Sequence, residues 1–330
     1  MPASAVLGCG RYLPARRVTS DELARDLGEP AAAIIARTGV TVRHYADDGL
    51  GPSDLARDAA EVALADAGLG SDDVDLIVFV TMTPDIPFPG SGCFLQDKLG
   101  CRTVGALDVR AQCAGFLFAL TTADRFVRAG AATRVLVAAA EVHSTALDFS
   151  PRGAAVTPYF GDGAGVLVLG AADEPGVLAT VLHSDPTDLE RFWCEFPASR
   201  NHPARMTRAA FEEGRHYYRF DADAVHPQAE PALADVAGEA LARAGVRPDE
   251  VALFLMHYID ARVARRAAER AGFPAERVVA TAEAAGHVAA AGIPIALAEA
   301  RTSGRVAAGD LVCCAAFGAG MSWAGAVVRV

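Results

Sequence analysis

The stretch "LDVRAQCAGFLFAL", Leu107 to Leu120, sets a single thiol between a short extended run and a long apolar pattern at helical spacing. Cys113 therefore falls where a strand turns into a helix, and the helical pattern stops at Gly130. Free backbone N–H groups and the dipole at a helix start lower a thiol's pKa and stabilise a developing oxyanion, so the position suits a nucleophile. The same cysteine also reads as one more small hydrophobe packed beside an apolar helix. Its companions must decide between the two. One of them, His257, closes the aliphatic run "VALFLMH" and so stands at the carboxyl end of a strand, where an imidazole can serve as acid, base or hydrogen-bond donor.

The elements that position these groups recur. "ALADAGLGSDDVDLIVFV" from Ala63 is echoed by "ALARAGVRPDEVALFLMH" from Ala240, and Leu64 matches Leu241 at the same 177-residue offset that carries Leu120 onto Leu297. So long an offset means two duplicated domains, not a solenoid. In each half a helical pattern ends at Gly, a polar turn follows, and a continuous aliphatic run comes next, as in a strand buried on both faces. The alternation predicts an α/β protein: mostly parallel mixed sheets covered by helices, two of them sharing central helices in a five-layered αβαβα sandwich. Residues 1–172 form the half with the cysteine and residues 173–330 the half with the histidines, with an irregular insert over about 184–223. Surface segments of that length tend to carry substrate contacts.

Composition narrows the function further. A chain of 330 residues with 52% hydrophobic residues can bury one large core or two fused ones. The net charge of -11 and 7% aromatic content argue against binding nucleic acid. The seven cysteines are odd in number and lack a CxxC pair, which predicts neither a disulfide framework nor a metal site, in a reducing cytoplasm. No signal pattern opens the sequence and no apolar run is bilayer-length, so a soluble protein off the membrane is expected.

Five motifs carry a resemblance. "DVRAQCAGFLFAL", "PRGAAVTPYFGDGAGVLVL", "RTGVTVRH", "FLMHYIDARV" and "FGAGMSWAGAVVRV" resemble the β-ketoacyl-ACP synthase III branch of the thiolase-like condensing enzymes and cover nearly the whole chain outside Ser184 to Asp223. The resemblance implies the duplicated thiolase-like five-layered sandwich. It implies that Cys113 accepts an acyl group from a thioester, acyl-ACP or acyl-CoA, with no bound cofactor, and that the backbone N–H groups of Cys113 and Ala319 form the oxyanion hole. His257 matches the first catalytic histidine. Arg37 and Arg152 match positions directed at the donor. Arg262 and Arg266, four apart on the next helix, present a basic patch to an acidic acyl carrier protein, or else an ordinary solvated face. Phe88, in "TMTPDIPFPGSGCFLQDKLG", resembles the residue one subunit sets against its partner's acyl pocket, which implies a homodimer.

Three departures shape the expected activity. Gly286-His287 stands where the family usually has Gly-Asn, giving a Cys-His-His set like that of the elongating enzymes. "HYID" stands where it reads "HQAN", so that Asp260 could orient an imidazole as well as cap the following helix. Ala33 replaces a tryptophan that stacks on adenine, which favours a carrier-bound donor. The altered motifs resemble the acyltransferase offshoot of antibiotic pathways and predict transfer from Cys113 to a small-molecule nucleophile or carrier. The alternative is decarboxylating condensation with malonyl-ACP, and a third reading is a non-catalytic dimer partner, which the cysteine argues against. High Ala and Arg content points the same way, to specialised metabolism. Gly90 and Gly92 leave room for more than acetyl, and His202 and Arg205 in the insert could line the acceptor entrance.

Overall fold

Each half of the chain builds a five-stranded sheet with the same strand order. In the computed structural model, which describes residues 2–330, the first runs Ala3–Tyr12, Gly163–Ala172, Arg134–Glu141, Leu76–Val80, Gly105–Val109. The second runs Val177–Ser184, Ser322–Arg329, Leu311–Gly318, Val251–His257, Val278–Ala280. The 177-residue offset read from sequence carries Arg134–Glu141 directly onto Leu311–Gly318. Leu76–Val80 is parallel to both its neighbours, as is Val251–His257, while Gly163–Ala172 and Ser322–Arg329 return antiparallel.

The helices Gly115–Arg128 and Gly292–Thr302 lie between the sheets and touch strands of both. Pro52–Asp66 covers the outer face of the first sheet, and Ala222–Ala244 with Ala261–Arg270 covers the second, making five layers. The central strands are therefore dry on both faces, which is why they read as unbroken aliphatic runs, while the edge strand Gly105–Val109 stays largely exposed. Leu76, Val78 and Val80 enter the core between the sheets while Ile77 and Phe79 enter the outer one. Leu253 and Leu255 against Phe254 and Met256 divide in the same way. Small residues let these layers approach closely: a Cβ at Gly10 would stand 2.2 Å from the carbonyl oxygen of Ala59 on the covering helix.

The first sheet ends at Ala172 and the second begins at Val177. Between Ser184 and Asp223 the insert folds as a ribbon of Phe192–Trp193 with Arg219–Phe220 and a short helix, Arg208–Glu212. Among the described residues no helix is long and apolar enough to cross a membrane, and all seven cysteines are free.

Candidate active site

The chemistry gathers where parallel strands end. Val251–His257 delivers His257 as its last residue, Gly105–Val109 leads into the turn Gln112–Ala114, and Leu311–Gly318 leads into Ala319. Thr281 and His287 follow Val278–Ala280. Carboxyl ends of strands open a crevice in such sheets, and the duplication points two of them at one centre. Gln112 holds φ 43°, a left-handed backbone uncommon for a side chain of its kind, at the turn that presents the next residue.

Cys113 Sγ lies 3.2 Å from His287 Nε2. The His257 and His287 rings stack nearly parallel, 4.8 Å between centroids at 14°. The sulfur and one nitrogen of each ring lie within 4.8 Å of one another. They form the one cluster of three potential metal ligands among the described residues, and a neutral thiol can donate to His287 Nε2 across the contact. Thr281 Oγ1 holds His257 Nδ1, so with Thr281 donating, the imidazole proton resides on Nε2. That Nε2 is buried and has no partner. His287 is fixed by its backbone, its N–H donating to the Tyr159 carbonyl at 2.7 Å.

Two glycines make the fit possible. A Cβ at Gly318 would stand 2.7 Å from the Cys113 sulfur, and one at Gly292 would stand 2.4 Å from His257 Nδ1. The N–H groups of Ala319 and of Cys113 itself both point at the sulfur, the two donors expected of an oxyanion hole.

The electrostatics correct one expectation. Burial pushes the Cys113 thiol up to about 12, aided by the nearby Glu141 and opposed by those two N–H groups, so the helix start does not ionise it. Burial also pushes His257 down to about 3, and His287 well below its ordinary range with help from His257 and His143. The resting set is a neutral thiol beside two neutral rings. A sequence shows a helix terminus but not that only 2% of the cysteine's surface remains exposed.

Of the two roles read for Asp260, the structure shows the helix cap. Its carboxylate caps Ala261–Arg270 through the Arg262 N–H at 2.9 Å, and pairs with the Arg262 guanidinium at 2.6 Å. A carboxylate at a helix N-terminus meets that demand first, and the position beside His257 Nδ1 belongs to Thr281. Arg262 also donates to the carbonyls of Ala36 and Arg37. Arg37 pairs with Glu29, Arg152 with Asp148 and Arg266 with Glu230, so each of the four arginines has a carboxylate beside it and the patch is not a bare positive surface. Gly90 and Gly92 make room for Asp108, which accepts from the Ser91 and Gly92 N–H groups; their small size serves that carboxylate.

A cavity of about 740 Å³ reaches Gln112, Ala319 and Gly320, the residues beside the buried Cys113, and is lined farther out by Trp193, Arg205 and Tyr218 of the insert. His202 is not among its lining residues. Phe88 stands 84% exposed on the adjoining loop. Sequence reasoning missed Thr281, Glu141, Tyr218 and His143. His143 follows the carboxyl end of Arg134–Glu141, the same kind of position that singled out His257, and that signal was available.

A duplicated αβαβα sandwich with a thiol and two imidazoles at its strand ends is the arrangement of the thiolase-like class. Residues 107–186 match the family model "3-Oxoacyl-[acyl-carrier-protein (ACP)] synthase III" and residues 241–330 match its C-terminal counterpart. The chain is 40% identical to a β-ketoacyl-[acyl-carrier-protein] synthase III of Rhodobacter capsulatus, over 99% of this chain and 98% of that one. Among solved structures it is similar to 3-oxoacyl-[acyl-carrier-protein] synthase III of Aquifex aeolicus, TM-score 0.89 at 32% identity over 99% of this chain and 100% of the other. It is also similar to the priming β-ketosynthase of a polyketide biosynthetic pathway, TM-score 0.91 at 29% identity over 100% and 96%. The chain belongs to the 3-oxoacyl-[acyl-carrier-protein] synthase III family of condensing enzymes.

Proposed function

We propose that the protein condenses an acyl group held on Cys113 with a malonyl thioester of acyl carrier protein, releasing carbon dioxide. The observation that carries this reading is the buried, unpartnered His257 Nε2 beside the Cys113–His287 pair. It is a hydrogen-bond donor waiting for a substrate oxygen.

In the first half-reaction the Cys113 proton passes to His287 as sulfur attacks the donor thioester. The oxyanion sits on the Cys113 and Ala319 N–H groups, and the leaving thiol takes a proton as the carbonyl reforms. In the second, the malonyl thioester oxygen accepts from the imidazole N–H groups of His257 and His287. The carboxylate leaves as carbon dioxide, the enolate carbon attacks the acyl-cysteine carbonyl, and the expelled Cys113 thiolate takes up one proton from solvent, its original proton having left with the donor thiol. Neutral rings suit the second step because an imidazolium would repel nothing but would surrender its proton, and burial keeps both rings neutral. Asp260, engaged with Arg262, raises the basicity of neither ring, which weakens the case for a general base acting on an alcohol or amine acceptor.

The acyl donor is a thioester of carrier protein or coenzyme A, and Arg37, Arg152, Arg262 and Arg266 are the carrier-facing candidates, each exchanging a carboxylate of this chain for one of the carrier. A homodimer is supported by the edge strand Gly105–Val109 and the exposed Ile86, Phe88 and Leu107 beside it. Incubation with acyl donor followed by malonyl-carrier tests the reading by intact mass and carbon dioxide release. An acyl adduct lost in Cys113→Ala, then converted to a lengthened product with carbon dioxide, is expected. Movement of the adduct to an alcohol, amine or thiol without carbon dioxide would overturn it.

A further inference from the structure

A third imidazole lies outside the catalytic pair. His143 is fully buried, and its ring packs at 4.8 Å against Phe160, which in turn meets His287 edge-on at 5.2 Å. Its Nδ1 is 3.3 Å from the Tyr218 hydroxyl, and its Nε2 has no partner. Tyr218 comes from the insert and lines the same cavity as Gln112, Ala319 and Gly320, the residues flanking the sulfur. Condensation as derived above uses neither residue. A saturated acyl chain would offer them nothing, and buried polar atoms call for partners.

We propose that Tyr218 and His143 form a polar subsite selecting acyl groups that carry a hydroxyl or keto oxygen within a few carbons of the thioester. Tyr218 is the member that faces the cavity: with His143 Nδ1–H donating to it, its hydroxyl donates to a hydroxyl or ketone oxygen, and with the hydroxyl donating to Nδ1, its lone pair accepts from a hydroxyl. The inference rests on the reading that Cys113 is acylated. A site built to hydrogen-bond a substrate oxygen discriminates against the analogue lacking it more sharply than an apolar pocket discriminates by size.

The test loads Cys113 with carrier-bound acyl thioesters matched in chain length: saturated, β-hydroxy, γ-hydroxy and β-keto, the adduct being timed by intact mass. At least one oxygenated chain should acylate roughly 10-fold faster than the saturated one, by a lower KM, and Tyr218→Phe should collapse that ratio toward one. Adduct formation from the saturated donor reports that the variant is folded. Equal or faster loading of the saturated chain by the unaltered protein, or an unchanged ratio in Tyr218→Phe, would overturn the subsite while leaving Cys113 acylation standing. No adduct from any donor would overturn the acylation reading and the subsite together.

Discussion

Single residues at this site divide into side chains that react and side chains that hold them. Asp260 is on the holding side because its oxygens are taken up by the Arg262 N–H and guanidinium. Asp260→Ala should lower unfolding stability by about 2 kcal/mol, the loss of a cap and of the carboxylate that pairs with Arg262, while kcat changes less than about threefold. Chemical denaturation alongside steady-state kinetics checks this, and a large kcat loss at unchanged stability would return Asp260 to the catalytic set. Thr281→Val keeps the shape but removes the group on His257 Nδ1. Condensation should fall about 10- to 100-fold with acylation of Cys113 little changed, a split that single-turnover measurements of the two half-reactions resolve. Cys113 and His257 were legible in sequence because each follows or ends a strand run. His287 became legible only through its motif, and His143, placed by the same rule as His257, was passed over. The ionisation of Cys113 was misread because a helix start is written in the sequence and depth of burial is not.

Elements carry the site by close approach. Strand Leu311–Gly318 and the Gln112–Ala114 turn meet across the duplication, and Gly318 is where no side chain fits beside the sulfur. Gly318→Ala forces a methyl to within 2.7 Å of Sγ. Acylation should drop at least about 100-fold, with a stability loss of about 1–3 kcal/mol from overpacking, measured by adduct formation and thermal unfolding. The strand and helix pattern of both halves was readable because both faces of the central strands are covered and the aliphatic runs are unbroken. The insert was not, since its ribbon of Phe192–Trp193 with Arg219–Phe220 spans two residues a side and leaves no periodicity to detect. The role first read into Gly90 and Gly92 failed for a related reason: a linear string does not say that Asp108 fills the space above them.

For the whole molecule, burial of neutral imidazoles couples folding to pH. His143 and His257 are pushed to about 3 in the folded protein, His287 is lowered too, and all three titrate near 6.5 when unfolded. Between those values the unfolded chain binds protons that the folded chain does not, so stability is present above about pH 6.5 and declines as pH falls toward 3. Glu141, raised to about 7, works against this between roughly pH 4.5 and 7, one carboxyl against three rings. The unfolding free energy should therefore fall on going from pH 7 to pH 5, by roughly 2 kcal/mol for each uncompensated histidine, as read by denaturant titration, and part of the dependence should vanish in His143→Phe. The protein should sediment as a dimer and Phe88→Glu as a monomer, as expected of an exposed anchor beside an open edge strand; a monomeric unaltered protein would contradict this.

Burial favours the uncharged thiol and the uncharged rings at rest, so proton transfer from sulfur should await a bound thioester. The pH profile of Cys113 acylation, taken as kcat/KM for the donor, reads this directly because it reports ionisations of the free enzyme. A profile level from about pH 6 to pH 9 is predicted. A rise with its midpoint between pH 6 and 8, abolished in His287→Asn, would contradict it by revealing a thiolate–imidazolium pair already formed before substrate binds.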